Sequence, residues 1–478
     1  MATTKAAAQQ SSKEKLDPRI VKISLILVIG ALAPLLDSTM VNVAVDTLTA
    51  DFESAVSAIQ WVITGYVLAM GLAVPISGWA VRRLGGKQVY LFSLVAFLTG
   101  SILCSLSWDA GSLIAFRIVQ GAGAGLLVPT MQTVLVQTAG RQNLGRVMAI
   151  IGIPALLGPI LGPVLGGLIV DGLSWRWIFY VNIPITAVAL LLAWRGIPKQ
   201  EAAGGKQPLD IVGLALLSPA FALLIYGISE VSGYGGLGHR EVVIPLAVGL
   251  ALMAAYIVHA LRTARMPMLD IRLFRSRPFL ASNVTLFLSG MVMNGGLLLI
   301  PLYYQQVRGE SVLDTGLLLI PQGIGMLLTR SWIGRLTERT GARFIVIISL
   351  AFTVAGTLPF AFADAGTGHL LLAAGQLVRG AASNGLLIPI MVTAYEGLRQ
   401  DQVPHASVST RIFQTIGGAF GSAVLAAVID HELSGRAAVG VGELADAYQT
   451  AFWWSIGFSV VSLLPALMLA ARRREPGD

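Results

Sequence analysis

Long apolar runs, separated by short clusters of charged, polar and glycine residues, follow one another along almost the entire chain. Cutting at those clusters gives stretches at 20–44, 59–80, 88–107, 111–138, 146–170, 177–196, 209–229, 242–262, 279–303, 313–335, 343–363, 368–395, 405–429 and 449–471. A helix needs about 20 apolar residues to cross the hydrocarbon core of a bilayer, and each stretch is of that order. The pattern therefore predicts an all-α polytopic membrane protein with fourteen transmembrane helices. Residues 1–19, MATTKAAAQQSSKEKLDPR, have no apolar core, so they are expected to be a disordered cytoplasmic tail rather than a cleavable signal.

Composition agrees with that pattern. Of the 478 residues 55% are hydrophobic and 12% charged, with a mean hydropathy of +0.75. A soluble domain carries roughly 25% charged residues, so this chain cannot clothe a water-exposed surface. The excess of 33 Lys and Arg over 25 Asp and Glu would suggest nucleic acid in a soluble protein. Its distribution points to the bilayer instead, and no nucleic-acid partner is expected. With the N-terminus inside, 25 of the basic residues fall in cytoplasmic segments, and only Arg176, Arg240, Arg308 and Arg436 fall in outer loops. That is the bias of cytoplasmic loops. Omitting one helix would invert every later loop and erase it, so both termini are expected on the cytoplasmic side.

The polar segments also mark seams. KQEAAGGKQP (Lys199 to Pro208) and the basic connection from Arg262 to Pro278 bracket two helices with few interior polar residues. The expected organisation is a tail (1–19), an N-terminal six-helix half (20–200), an inserted helix pair (201–265), a C-terminal six-helix half (266–471) and a cytoplasmic tail (472–478). The halves echo each other. Gly78, Arg83, Gly85 and Lys87 recur at identical spacing as Gly334, Arg339, Gly341 and Arg343, and GLLVPTMQT (Gly125 to Thr133) recurs as GLLIPIMVT (Gly385 to Thr393). Related halves around a midplane site are what alternating access requires.

Charge inside the spans is where chemistry is expected. Asp37 is the one acid well inside the membrane, and it needs a reason, since a carboxylate at that depth costs about 2.5–3.5 kcal/mol on insertion scales. It lies about eight residues, roughly 12 Å at the helical rise, from the outer end of its helix. Arg117 enters from the same side to a similar depth, so the two can pair. Arg330, Arg379 and Arg411 are the other embedded arginines. Arg379 is deep in its span and is a cavity or coupling candidate, whereas Arg330 and Arg411 admit both that role and snorkelling toward the cytoplasmic face. The amides and hydroxyl of Asn42, Tyr66, Gln120, Gln132, Asn294, Gln322, Gln376, Asn384 and Gln414 are candidates for a substrate pocket, with interhelical hydrogen bonding as the other reading. Trp61, Phe287, Tyr303 and Tyr304 would add aromatic surface to such a pocket. His405 reads equally as a helix-start residue or a proton relay. The five histidines and the lone Cys104 form no metal-ligand spacing, and no phosphate loop is present. No metal, no cofactor and no direct ATP drive are expected.

These features together resemble the major facilitator superfamily, in particular its fourteen-helix drug:proton antiporter branch of the EmrB/QacA type. Four segments carry the resemblance: LDSTMVNVAVD (Leu36 to Asp46), GWAVRRLGGK (Gly78 to Lys87), LIAFRIVQGAGAG (Leu113 to Gly125) and GPILGPVLGG (Gly158 to Gly167). Asp46 stands where the family pattern ends in Pro, and Arg82 where its loop has Asp. The second copy keeps an acid, Glu338. The resemblance implies a non-enzymatic, multi-pass carrier of the cell (inner) membrane that exports hydrophobic or amphiphilic compounds in exchange for protons, with Asp37 and Arg117 at the coupling site. It also implies a conformational loop at Gly78, Arg83, Gly85, Lys87, Gly334, Glu338, Arg339 and Gly341. The hinge is expected at Gly158, Pro159, Gly162, Pro163, Gly166 and Gly167, whose glycines would permit close helix contact. WRWIFYVNIPI (Trp175 to Ile185) matches the same branch, with Trp175, Trp177 and Tyr180 expected as an interfacial belt. The scarcity of embedded acids favours neutral, weakly acidic or zwitterionic substrates, with lipophilic monocations still open. A narrower exporter of an endogenous metabolite, lipid or natural product is the alternative, and in a Gram-negative host a periplasmic adaptor is a candidate partner.

Overall fold

The computed structural model describes residues 17–54, 56–139, 147, 158, 161–162, 165–170, 172–199, 208–233, 238–263, 267–433 and 440–469. Pro159 and Pro163 lie outside them, as do the side chains of Asn42, Asp46, Glu338 and Arg339. The described chain is helical almost throughout. The long helices are α1 (Pro18–Met40), α2 (Val56–Leu84), α3 (Gly86–Ser105), α4 (Ala110–Ala139), α5 (Asn182–Gly196), α6 (Ile211–Gly233), α7 (Arg240–Arg262), α8 (Arg277–Leu302), α9 (Ile320–Thr340), α10 (Ala342–Ala361), α11 (His369–Tyr395), α12 (Val403–Leu433) and α13 (Val441–Val461). In hydrocarbon every backbone amide must be bonded within its own segment, which is why apolar runs of this length become helices.

Among the described residues, 11 helices are long and apolar enough to cross a membrane. Helices α9 and α13 are not among them. The former carries Arg330, Arg335, Glu338 and Arg339, and the latter opens with Glu443 and Asp446. Helices α2 and α3 pack on α4, α8 packs on α12, and α9 and α10 pack on α11. Helix α6 lies between α2 and α12 and touches both, while α7 packs mainly on α6 and on the short 3-10 turn Ile271–Arg275. Most of α7 faces outward.

The turns at Gly85 (φ 88°) and Gly341 (φ 83°) join α2 to α3 and α9 to α10. Both use a backbone conformation that side chains disfavour, so glycine is needed at each. The segment from 262 to 278, expected to be a basic connection, is also a packing element: Met268, Leu269 and Leu273 are buried, and the Leu269 carbonyl accepts the Tyr256 hydroxyl at 2.9 Å. Close helix approach on the other side comes from Gly121 and Gly125 of α4, which lie against the backbone of Tyr66 and Met70.

Candidate functional site

Asp37, in the last turn of α1, is fully buried. Its Oδ2 takes the ion pair from Arg117 Nη1 on α4. Its Oδ1 accepts from Gln120 Nε2 at 3.1 Å and from Asn182 Nδ2 at 2.8 Å. Arg117, also buried, donates through Nε to the Val62 carbonyl at 3.1 Å and through Nη1 to Gln120 Oε1 at 2.7 Å. Its guanidinium lies 4.0 Å from the ring centroid of Tyr66. Gln120 donates onward to Ser101 Oγ at 2.8 Å and accepts a weak bond from the Cys104 thiol at 3.8 Å. A carboxylate with three donors and a guanidinium held by carbonyls and an aromatic face satisfies the general condition for burying charge. Helices α1, α4 and α5 meet at the carboxylate itself, and α2 and α3 join the network through Val62, Tyr66, Ser101 and Cys104.

The spacing of Arg117 and Gln120, three residues apart, puts both on one face of α4. Gln120 was expected in a substrate pocket, but it is part of this charge network, and Tyr66 is the platform for Arg117. Asn182 was not anticipated. The only signal for it was an amide in an otherwise apolar and aromatic segment. In that same segment Trp175 is not an interfacial residue: it is 3% exposed and donates to Asp51 Oδ2 at 2.8 Å, while Trp177 is exposed.

The glycines from Gly158 onward line the other flank of Asp37. A Cβ at Gly158 would lie 2.9 Å from the Leu35 carbonyl, one at Gly162 would collide with Thr39, and one at Gly166 would lie 3.1 Å from the Met40 carbonyl. Thr39 Oγ1 donates to the Gly158 carbonyl at 3.0 Å. Gly167 differs from expectation, because nothing lies within 4 Å of its Cβ position. Close packing thus uses three of the four glycines.

The remaining pocket candidates disperse. Gln376 donates to the Tyr304 hydroxyl and to the Leu318 carbonyl, both at 2.9 Å, and Tyr303 and Tyr304 are fully buried against Phe360. They form the core of the second half and not a pocket wall. Asn384 donates to the Met326 carbonyl at 2.5 Å and Asn294 to its own helix at Gly290, 3.2 Å away. Gln132 is buried with its Oε1 unpartnered, and Gln322 and Gln414 are half-buried. Trp61 stacks on Tyr226 of α6 at 6.1 Å, on the exposed side of α2.

At the basic end the halves are joined. Arg82 Nη1 contacts His405 Nε2, and His405 Nδ1 meets the Met268 carbonyl at 3.0 Å. His405 is buried, so it is a tie between halves and not an exposed helix start. Thr133 and Ser407 share a hydroxyl bond of 2.7 Å, and Gln137 reaches the Gln400 carbonyl at 3.4 Å. Gly78 admits this contact, since its Cβ would lie 3.2 Å from Val408. Nearby, Lys87 donates to the Trp194 carbonyl at 2.6 Å, Arg83 is exposed and Gly334 is buried. No group of three or more His, Cys, Asp or Glu able to hold a metal occurs among the described residues.

Many apolar helices packed around a fully buried ion pair are the architecture of a polytopic membrane protein. The chain belongs to the major facilitator superfamily, whose family model matches residues 27–422. It is 35% identical over 430 residues to the multidrug resistance protein B homolog of Mycobacterium tuberculosis, covering 90% of this chain and 79% of that one. It is 30% identical over 406 residues to the multidrug export protein EmrB of Haemophilus influenzae, with 85% and 79% covered. Its fold is similar to that of the human organic anion transporter MFSD10, with a TM-score of 0.64, 17% identity and coverage of 93% of this chain and all of that one. Membership makes the chain a multi-pass membrane carrier rather than an enzyme, and the two bacterial relatives are of the multidrug-resistance kind that the sequence motifs resemble.

Proposed function

We propose that this protein is a proton-coupled antiporter that exports hydrophobic or amphiphilic small molecules by alternating access, with Asp37 as the protonation switch. The observation that carries the reading is the isolated, fully buried carboxylate of Asp37, held by Arg117, Gln120 and Asn182 beside the close-packed glycines. The relatives named for multidrug export support the same direction. In this reading the basic end is cytoplasmic, both termini are inside, and six helices, an inserted pair and six helices make fourteen spans. The ties from Arg82, Thr133 and Gln137 to the second half then close the cytoplasmic side.

The chemistry follows from the pair. A proton arriving from outside neutralises Asp37 and removes the counter-charge of Arg117, which keeps only the Val62 carbonyl, Gln120 Oε1 and the Tyr66 face. A buried cation without its partner is costly, so protonation changes the relative stability of the two arrangements of α1 and α4. The altered packing of α1 against Gly158, Gly162 and Gly166 passes that change to the bundle. Inward movement of one proton charge across 100 mV supplies about 2.3 kcal/mol. The deciding experiment is dye efflux from proteoliposomes under an imposed pH gradient. Asp37→Asn is expected to abolish uphill efflux while leaving folded protein in the membrane, and uphill efflux at the normal rate in that variant would end the proposal.

A further inference from the structure

The second half holds a buried cation with no counter-charge. Arg379, on α11, is 3% exposed. Its Nη2 donates to the Val292 carbonyl of α8 at 2.9 Å, and its Nη1 has no hydrogen-bond partner. Gly296 makes room for the guanidinium, since a Cβ there would overlap it. On α9, the Nη2 of Arg330 is likewise buried without a partner. Arg411, on α12, is half-buried and within electrostatic reach of Tyr66 across the seam.

The contrast with the first half is one of composition as well as geometry. Arg117 has Asp37. No Asp or Glu occurs anywhere in α8, α10 or α11, in α9 before Glu338, or in α12 before Asp430. Arg330, Arg379 and Arg411 therefore share the interior of this half, and none of them has an ion-pair partner among the described residues. A guanidinium in a low-dielectric interior is retained when an anion completes its fork of donors, and a carboxylate does so with two parallel bonds. Ionisable groups inside a membrane span characteristically mark substrate or ion pathways.

We propose that Arg379 is the recognition group for the anionic head of the transported compound, and that the preferred substrates are amphiphiles carrying a single carboxylate. This rests on the export reading above and names its substrate class. The apolar body lies along the helices and the carboxylate takes the free Nη1 of Arg379. Proton and substrate are then read in different halves: Asp37 titrates, and Arg379 selects. The division has an electrical consequence. At one proton per substrate, export of a monoanion moves two elementary charges per cycle, a neutral compound one, and a monocation none.

The test uses the full-length protein in proteoliposomes and three fluorescent probes with the same long alkyl body, ending in a carboxylate, a primary amide or an ammonium. Binding is read by competition, and efflux as its response to a potassium-diffusion potential. Wild type is expected to prefer the carboxylate over the amide by about tenfold or more, the scale of one charge-assisted hydrogen bond. The carboxylate probe should also show the steepest response to potential. Arg379→Gln should bring the carboxylate and amide to similar affinity, and Arg379→Lys should retain part of the preference. Equal or better binding of the ammonium by wild type, or an unchanged preference in Arg379→Gln, overturns the proposal. Should Arg379→Gln not fold, the wild-type ranking and its response to potential decide alone. Absence of any anion preference in wild type, with proton-coupled efflux intact, would reject this inference and leave the export reading standing. Arg379-dependent carboxylate binding with no efflux of any probe would do the reverse.

Discussion

Substituting Asp37 by Asn should open the first half locally, and the chain contains its own reporter for that event. The substitution leaves the Arg117 guanidinium, 1% exposed, with the Val62 carbonyl at 3.1 Å, Gln120 Oε1 at 2.7 Å and the Tyr66 ring at 4.0 Å, but with no negative charge. Breaking a buried pair by removing one partner costs about 3–5 kcal/mol. Cys104, the single cysteine, is fully buried 3.8 Å from Gln120 Oε1, inside the same network. Reaction of its thiol with a maleimide requires that the network open. If the cost falls on that opening, labelling should accelerate by roughly a hundredfold to a few thousandfold, at about tenfold per 1.4 kcal/mol. The double variant Asp37→Asn with Arg117→Gln removes both charges and should label far more slowly than the single one. The assay is the time course of Cys104 modification in purified, detergent-solubilised protein. Labelling of Asp37→Asn at the wild-type rate, or of the double variant as fast as the single, would refute the idea that the pair holds these helices together.

Two other outcomes are expected. Gly162→Leu should eliminate dye efflux because its side chain meets Thr39 beside Asp37, whereas Gly167→Leu, with nothing within 4 Å of its Cβ, should transport normally; equal activity of the two would contradict the packing role. Arg82→Gln should loosen the joint at the basic end. In a Cys104→Ala, Ser407→Cys background, an impermeant thiol reagent applied to that face should label position 407 faster when Arg82 is replaced, and an unchanged rate would remove Arg82 and His405 from the closure.

How much was legible in advance depended on the kind of information each residue carries. Asp37 and Arg117 were found as partners because topology and helical rise fix depth, and two opposite charges at one depth in hydrocarbon have few alternatives. Asn182 was missed because an amide gives no sign of which way it faces, and its aromatic neighbours suggested an interface. The same ambiguity left Gln120, Gln376 and Tyr304 open between pocket and core: a polar atom in a helix is consistent with both until its neighbours are known. Trp175 was misread because a tryptophan near a span end is usually interfacial, and here Asp51 captures its ring nitrogen. The connection after Arg262 offered a clue in Met268, Leu269 and Leu273, three apolar residues in a basic segment, which the structure buries. The repeated segments suggested two related halves. Which helix would stand between them was not legible, because contact between α6 and both halves leaves no periodic mark.

That placement of α6 has a mechanical consequence. Leu217, Phe221 and Ile225 of α6 belong to one cluster with Val74 of α2 and with Val408 and Ile412 of α12. These are hydrocarbon surfaces held by dispersion and close packing. In the proposed rocking cycle, movement of one half against the other repacks this cluster rather than breaking a charge pair.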